Sequence, residues 1–243
     1  YFRNNNMSFL ILVRHGQSVW NLEKRFTGWV DVDLTQTGEA EAKKAGLLIK
    51  EKKVQIDHYY SSLQLRANKT LDIIQTVLNH KKDFIKAWQL NERHYGALTG
   101  LDKNEMIKKI GEDKVFEFRR SWNIKPEALS KKSPFHPINI KTYNDVSRKL
   151  IPDTESLKDT YERVTNYFDK EIKNKLENKN VLISAHGNSI RALCKKLFNL
   201  DNNQISNLEI PTGNPLIIEI NKSFKIIKCE YLDKRRAKSL LVF

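Results

Sequence analysis

The sequence predicts an α/β fold, a three-layer α/β/α sandwich whose mostly parallel sheet carries helices on both faces. Two short apolar runs, Phe9 to Val13 and Val181 to Ala185, are typical of buried parallel strands. Each run ends in a polar loop that contains a histidine followed by a glycine, His15-Gly16 and His186-Gly187. Amphipathic helical patterns lie between the two runs, as expected for a layered α/β architecture.

Local patterns predict the elements of the first half in order. Thr35 is predicted to cap a helix whose buried stripe includes Ala42, Ala45 and Ile49. Residues 56–60 predict a second strand, and Ser61-Ser62 is predicted to open a helix with an apolar face from residue 63 to 78. The segment from Trp88 to Gly100 lacks periodicity and is predicted to be a loop. Two short helices follow, Asn104 to Ile110 and Asp113 to Ser121.

The second half contains two more helices and a hairpin. Thr154 and Glu155 are predicted to open a long helix, and another helix follows the strand at Val181 and runs through Arg191. Leu216 to Ile220 and Phe224 to Tyr231 predict a β-hairpin. The predicted domain organisation is an N-terminal extension (1–8), one domain (9–233) and a C-terminal tail (234–243). Residues 126–152, which hold four of the six prolines, are predicted to form an inserted loop or lid.

Composition excludes several functional classes. The formal charge of +14 arises from 43 basic and 29 acidic residues, but the lysines are scattered and the basic runs contain no aromatic side chains, so no nucleic-acid partner is predicted. No apolar window approaches the roughly 20 residues of a membrane span, and the N-terminus does not resemble a signal peptide. The two cysteines, Cys194 and Cys229, are predicted to be reduced thiols of a cytoplasmic protein, with no metal site.

The two histidines are the first candidates for chemistry. If the two strands are parallel neighbours, His15 and His186 leave the sheet at the same edge, where ligands bind in open α/β folds. A single histidine after a strand is more often structural. Two in matching contexts, one of them beside Arg14, point to a site that acts on an anion.

Three further arginines allow two interpretations each. Arg66 is predicted in the first turn of a helix, where a cation opposes the helix dipole; it is either a solvated side chain or a ligand for an anion at the strand end. Arg119 and Arg120 end a predicted helix, where the dipole favours cations. The same two forked guanidiniums could instead clamp a carboxylate or phosphate.

Three motifs resemble a known family. The segment from Leu12 to Ser18 (Leu-Val-Arg-His-Gly-Gln-Ser) is similar to the signature of the histidine phosphatase superfamily. Trp20-Asn21 with the segment 25–29 resembles its cofactor-dependent phosphoglycerate mutase branch. The heptad from Leu90 to Gly96 (Leu-Asn-Glu-Arg-His-Tyr-Gly) is the most discriminating, because other members of the superfamily do not share it. The resemblance runs from about residue 10 to 231.

The resemblance implies a role for each matching residue. His15 would be the nucleophile that becomes phosphorylated, and Glu92 would be the acid/base. Arg14, Arg66 and His186 would surround the transferred phosphoryl group, which Asn21 and Gly187 would also contact. Thr27 and Gly28 would lie beside the reacting hydroxyl. The rest of the substrate would be held by Tyr95, Lys103, Arg119, Arg120 and Asn188.

Three functions remain open from the sequence. The first is interconversion of 3- and 2-phosphoglycerate, with 2,3-bisphosphoglycerate as primer and no metal. The second is a phosphatase that uses the same phosphohistidine on phosphoglycerates or other phosphomonoesters. It is kept because the tail and the lid differ from the usual pattern, and mutase action needs a sheltered phosphohistidine. The third is a scaffold or regulatory binding protein. The resemblance also implies a homodimer or homotetramer.

Overall fold

The computed structural model describes residues 7–237, in which six strands form one sheet in the order β3-β2-β4-β1-β5-β6. The strands are β1 (Met7–Arg14), β2 (His58–Ser61), β3 (Ile85–Lys86), β4 (Val181–Ala185), β5 (Leu216–Asn221) and β6 (Ile226–Tyr231). The helices are α1 (Val19–Leu22), α2 (Gln36–Glu51), α3 (Leu65–Leu78), α4 (Lys103–Ile110), α5 (Glu112–Arg120), α6 (Leu157–Tyr167), α7 (Gly187–Phe198) and α8 (Asn202–Asn207).

Four of the strands are parallel and two form an antiparallel edge. β1 pairs with β4 in parallel, with Arg14 opposite Ala185, and β2 and β3 continue the parallel part. On its other side β1 pairs antiparallel with β5, and β5 pairs with β6 as the predicted hairpin. The mostly parallel sheet predicted from the sequence is confirmed. β1 itself is parallel on one side only.

The side chains of β1 alternate between two cores, one on each face of the sheet. Leu10 and Leu12 belong to a cluster that includes side chains of α6 and α7. Ile11 and Val13 belong to the opposite cluster, with side chains of α2 and α3. Because both faces of the strand are covered, the run is apolar at every position rather than at alternate ones. The three-layer architecture is therefore confirmed.

Several predicted boundaries are wrong by a few residues. Helix α3 begins at Leu65 rather than at Ser61-Ser62, because Ser61 is the last residue of β2. Helix α6 begins at Leu157, after a Ser156 cap whose oxygen accepts from the backbone N–H of Asp159. Met7 and Ser8, assigned to the N-terminal extension, are the first two residues of β1. Helices α1 and α8 and the two-residue strand β3 were not predicted, because all three are too short to show a period.

The segment predicted as a lid is anchored to the protein by its aromatic side chains. Residues 126–152 contain three short 3₁₀ turns and no longer element. Tyr143 is 2% exposed and packs on Trp29 with ring centroids 5.1 Å apart. Trp122, before the lid, packs edge-on against Tyr161 of α6. Of the predicted tail, Lys234–Arg236 form a 3₁₀ turn and residues 238–243 lie outside the described part of the chain.

None of the helices within residues 7–237 has the length and apolar character needed to cross a membrane.

The loop after β1 is pressed against the start of α2. A Cβ atom on Gly16 would lie 2.1 Å from the carbonyl oxygen of Gly38, and a Cβ atom on Gly38 would lie 2.1 Å from that of Gln17. Backbone meets backbone at both positions, so no side chain could rotate to make room. The two glycines thus allow the loop that carries His15 to lie on the helix.

We expect Gly38→Ala to destabilise the fold by roughly 1–3 kcal/mol, the usual cost of forcing extra volume into packed structure. Activity should fall as well, because the displaced backbone is that of the His15 loop. Thermal unfolding and turnover measure the two effects. Thr37→Ala, at the preceding exposed position of the same helix, is the control. A Gly38→Ala protein as stable as this control would contradict the close approach.

Candidate active site

His15 leaves the sheet at the end of β1 and is buried, with 2% exposed. Its backbone N–H donates to the carbonyl of Ala185 at 3.0 Å, which extends the β1–β4 pairing by one residue. The ring Nδ1 lies 2.7 Å from the carbonyl oxygen of Gly16. Because a carbonyl only accepts, Nδ1 carries the proton and Nε2 keeps its lone pair. Nε2 is therefore the nucleophilic atom of this ring.

The electrostatic environment keeps the His15 ring neutral. Burial, together with the positive charges of Arg66 and Arg14, holds the pKa of His15 well below its ordinary value of 6.5. The Arg66 Nε–H points to His15 Nε2 at 3.3 Å. A neutral imidazole with a free Nε2 lone pair is the form needed to attack phosphorus.

His186 lies beside His15, as the matched strand ends predict. The ring centroids are 5.0 Å apart and His186 is fully buried. Its Nε2 lies 2.8 Å from the hydroxyl oxygen of Ser62, whereas its Nδ1 is buried with no hydrogen-bond partner in the part of the chain that the structure describes. Burial first, and then the neighbouring Arg66, hold the pKa of His186 well below 6.5.

Arg66 is a buried side chain of the site and not a solvated one. It is fully buried in the first turn of α3, and its guanidinium donates to the carbonyls of Val30 at 2.9 Å and Gly28 at 3.0 Å. These carbonyls offset the unfavourable helix dipole at this position. Arg14 donates through Nη1 to the carbonyl of Ile210 at 2.8 Å. Its Nε is buried without a partner among the described residues.

Glu92 faces the histidines from the loop between β3 and α4. Its Oε1 accepts from the backbone N–H groups of Arg93 at 2.8 Å and Asn188 at 3.1 Å. The side chain of Asn188 donates to the Tyr95 hydroxyl at 3.0 Å. Helix α7, which follows His186, is thereby tied to the loop that carries Glu92.

One pocket is lined by most of the residues predicted for the site. The residues that line it are Arg14, His15, Asn21, Arg25, Thr27, Gly28, Arg66, Glu92, Tyr95, Lys103 and Arg119. Asn21 is fixed by the turn at α1, where its side chain accepts from the backbone N–H of Ser18 at 3.2 Å. Ten of these eleven lining residues were predicted. Arg25, which packs over the Trp20 ring, was not assigned a role.

Four predicted residues are not among those that line the pocket. His186, Gly187 and Asn188 form the layer behind it and contact it through His15 and Glu92. Arg120 instead donates to Glu209 at 2.6 Å and to the carbonyl of Leu208 at 3.1 Å. In this structure the two neighbouring arginines therefore differ, since Arg119 faces the pocket and Arg120 faces the loop 208–210.

Sequence reasoning missed the buried polar support of the Glu92 loop. Arg163 of α6 donates to the Glu155 carboxylate at 2.6 Å and 2.9 Å. It also donates to the carbonyls of Gln89 at 2.6 Å and Glu92 at 2.9 Å. Nothing in a single sequence pairs Arg163 with a loop about 70 residues earlier, so no signal could have found it.

The pocket has the properties of an anion site. Two buried nitrogens, Arg14 Nε and His186 Nδ1, have no protein partner in residues 7–237, which is expected where a ligand supplies the acceptor. Lys103 and Arg119 add positive charge to the lining. The donor set fits a compound with two anionic ends, such as a bisphosphoglycerate. Within the described chain, no group of three or more His, Cys, Asp or Glu side chains could hold a metal ion.

Comparison with known proteins agrees with this geometry. The family model of the histidine phosphatase superfamily (branch 1) matches residues 10–136 and 134–230. The chain belongs to this superfamily. Within it, a 2,3-bisphosphoglycerate-dependent phosphoglycerate mutase from Pelagibacter ubique is 64% identical over 238 residues, covering 98% of this chain and 100% of the relative. A mutase of the same name from Borreliella burgdorferi is 48% identical, covering 92% and 91%. The chain is thus a member of this mutase family, and the predicted resemblance is confirmed.

A solved structure supports the superfamily fold. A mycobacterial glucosyl-3-phosphoglycerate phosphatase superposes with a TM-score of 0.67 at 19% identity, covering 96% of this chain and 100% of the other. At that identity the likeness concerns the fold alone.

We expect substrate affinity to fall above pH 8 because of Lys103. Burial, with Arg119 and Arg14 nearby, lowers the pKa of Lys103 to about 8. As the pH rises through that value the free protein loses a positive charge from the pocket, so the KM for an anionic substrate should rise. Lys103→Arg keeps its charge and should flatten the rise between about pH 7.5 and 9.5. Lys109→Arg, at an exposed position of α4, should leave the profile unchanged.

We expect Arg119 and Arg120 to contribute unequally to substrate binding. Arg119→Ala should weaken phosphoglycerate binding by about 2 kcal/mol, or roughly 30-fold in Kd, as for a lost charge-assisted hydrogen bond. Arg120→Ala should cost less, since its guanidinium is already engaged by Glu209. Titration calorimetry measures both, with Lys109→Ala as the control. A larger loss for Arg120→Ala would mean that Arg120 leaves Glu209 to bind substrate.

Proposed function

We propose that this protein interconverts 3-phosphoglycerate and 2-phosphoglycerate through a phosphohistidine on His15, primed by 2,3-bisphosphoglycerate. The observation that carries this proposal is one pocket that holds His15 and Glu92 together with Arg14, Arg66, Lys103 and Arg119. The names of the relatives at 64% and 48% identity support the same conclusion.

Nucleophilic attack follows from the state of His15. Its Nε2 lone pair attacks the phosphorus atom, and the proton on Nδ1 stays hydrogen-bonded to the Gly16 carbonyl as the ring gains positive charge. Negative charge on the transferring oxygens is met by Arg14 Nε, the Arg66 guanidinium and His186, which the fold holds in place beforehand. No reorganisation of the donors is then needed during the step.

Glu92 is proposed to exchange a proton with the substrate hydroxyl. Both hydrogen bonds that the structure describes for its carboxylate go to Oε1. Oε2 lies toward Gly187, where it would be 3.7 Å from an added Cβ atom. A carboxyl group fixed through one oxygen can exchange a proton through the other.

The remaining lining residues are proposed to hold the glycerate part. Tyr95, Lys103 and Arg119 line the pocket together with Thr27 and Gly28. The primer 2,3-bisphosphoglycerate supplies the phosphoryl group that His15 carries. Arg14, Arg66 and His186 would hold one phosphate, and Lys103 and Arg119 the other end.

Location and assembly are proposed from the family. We propose a cytoplasmic enzyme that forms a homodimer or homotetramer and acts without nucleic acid, membrane or metal, as the family resemblance implies. Size-exclusion chromatography with light scattering tests the assembly.

We expect isomerisation of 3-phosphoglycerate to depend on the primer and to exceed release of phosphate. Water at about 55 M competes for the phosphohistidine, but well-oriented hydroxyl groups reach effective molarities of roughly 10⁵ M or more. Both products are measured in one reaction, with and without 2,3-bisphosphoglycerate. Phosphate release without isomerisation would replace the mutase proposal with the phosphatase alternative.

A labelling experiment tests the nucleophile in the same preparation. Radiolabelled bisphosphoglycerate should place acid-labile phosphate on His15, and His15→Asn should abolish the label together with both activities. Gln75→Asn, a buried position on α3 away from the pocket, is a matched control for amide and volume changes. Label recovered on His186 would overturn the assignment of roles.

A further inference from the structure

Gln64 is a fully buried side chain that contacts four parts of the active site. Its Oε1 accepts from the backbone N–H of Glu92 at 3.0 Å and from Arg66 Nη2 at 3.3 Å. Its Nε2 donates to the carbonyl of Gly28 at 2.9 Å and to the Tyr143 hydroxyl at 3.3 Å. All the hydrogen-bonding capacity that fits this geometry is used, yet Gln64 is not among the residues that line the pocket.

These hydrogen bonds join four segments of the chain that no strand pairing connects. Arg66 belongs to α3, Glu92 to the loop after β3, Gly28 to the loop after α1, and Tyr143 to the lid. Gln64 is the residue that caps α3, so its backbone is fixed by the helix. Its amide group therefore links Arg66, which lies beside His15, to the backbone of Glu92.

We propose that Gln64 is a positioning residue that sets the place of Glu92 relative to His15. The proposal rests on the proposed function, because it concerns the proton that Glu92 exchanges in that reaction. The relevant bond is the one from the Glu92 N–H to Oε1 of Gln64, which fixes the backbone that carries the carboxylate.

Glu92 depends on Gln64 more than Arg66 does. Without Gln64, Arg66 keeps the Gly28 and Val30 carbonyls as acceptors and its contact with His15. The Glu92 N–H would lose the acceptor that the structure gives it, and burial would leave it unpaired. Removing the amide should thus disturb proton transfer and leave the phosphoryl-binding cations in place.

Two different phosphoryl donors for His15 distinguish a defect in proton transfer from a loss of the phosphoryl-binding cations. Attack of His15 Nε2 on 2,3-bisphosphoglycerate breaks a P–O bond to an alkoxide, which takes a proton from Glu92 as it leaves. Attack on 4-nitrophenyl phosphate breaks the corresponding bond to nitrophenolate, which leaves without a proton. Both reactions form the same phosphohistidine and differ in whether the leaving group needs a proton, so a change in the ratio of their rates reports a change in proton donation to the leaving group.

The experiment compares first-turnover phosphorylation of His15 from the two donors in Gln64→Met and wild type. Gln64→Met keeps the volume and removes the amide. We expect phosphorylation from bisphosphoglycerate to slow by about 30-fold or more, within the range that a misplaced general acid costs. Phosphorylation from nitrophenyl phosphate should slow by less than about threefold, as for a site whose cations are intact.

Gln75→Met is the matched control. Gln75 is 1% exposed on the same helix, and its amide donates to the Lys82 carbonyl at 3.0 Å, away from the pocket. Gln75→Met removes a buried amide from the same helix, but the Oε1 of Gln75 has no partner among the described residues, so we expect a smaller loss of thermal stability than for Gln64→Met and an unchanged donor ratio. Gln64→Asn keeps an amide but withdraws it by one methylene, and it should shift the ratio of the two phosphorylation rates in the same direction. It replaces Gln64→Met as the test if Gln64→Met does not fold.

Equal slowing with both donors, or no slowing with either, would overturn the proposal, since Gln64 would then act through Arg66 or through the fold alone. Failure of the proposed function gives a different result, in which the wild type does not become labelled by bisphosphoglycerate or does not isomerise 3-phosphoglycerate. In that case glycerol 2-phosphate, an alkyl phosphate whose leaving group also needs a proton, replaces bisphosphoglycerate. The ratio of its rate to that of nitrophenyl phosphate then still tests the role of Gln64.

Discussion

Two guanidiniums, the buried one of Arg66 and the half-buried one of Arg14, beside a neutral imidazole are the constraint on which the rest of the site depends. Taking a charge out of water costs several kcal/mol per ion. The ion pairs described for residues 7–237 include neither Arg14 nor Arg66, whose acceptors are instead the carbonyls of Ile210, Gly28 and Val30. Carbonyl dipoles offset part of the cost without cancelling the charge. The positive potential is thus kept for an incoming phosphate, and burial together with this potential holds the pKa of His15 well below its ordinary value, so the ring stays unprotonated.

This constraint requires hydrogen bonds that hold the loops around the guanidiniums in place. Each guanidinium needs backbone carbonyls at fixed positions, and a loop cannot take its own hydrogen bonds from a β-ladder. Buried side chains replace the ladder: Arg163 holds the carbonyls of Gln89 and Glu92, while Gln64 holds Gly28 and the Glu92 N–H. Residues that never touch a substrate therefore decide where the catalytic groups lie.

The sequence predicts strand ends and motif residues, but it does not predict the polar contacts between distant segments that hold the loops. The pairing of His15 with His186 was predictable because apolar runs mark strands and parallel strands end at a common edge. Most of the pocket was predictable because the motif residues resemble a known family. The antiparallel partner of β1, the contact of Arg120 with Glu209 and the role of Gln64 were not. Hydrophobic periodicity shows which face of an element is buried, but it does not say which distant polar group a side chain meets.

The residues that select the acceptor of the phosphoryl group must then lie away from the sheet edge that carries His15. A nucleophilic histidine between arginines can load a phosphoryl group whatever the second half of the substrate is, and the fold is shared with a solved protein named as a phosphatase. Three further lining residues, Tyr95, Lys103 and Arg119, come from the segment between β3 and the lid. Helices α4 and α5 in that segment bury almost none of their side chains fully, so they add little to the two cores. What they contribute is positive charge to the pocket that holds His15, and a hydroxyl that this charge orients can react with the phosphohistidine before water does.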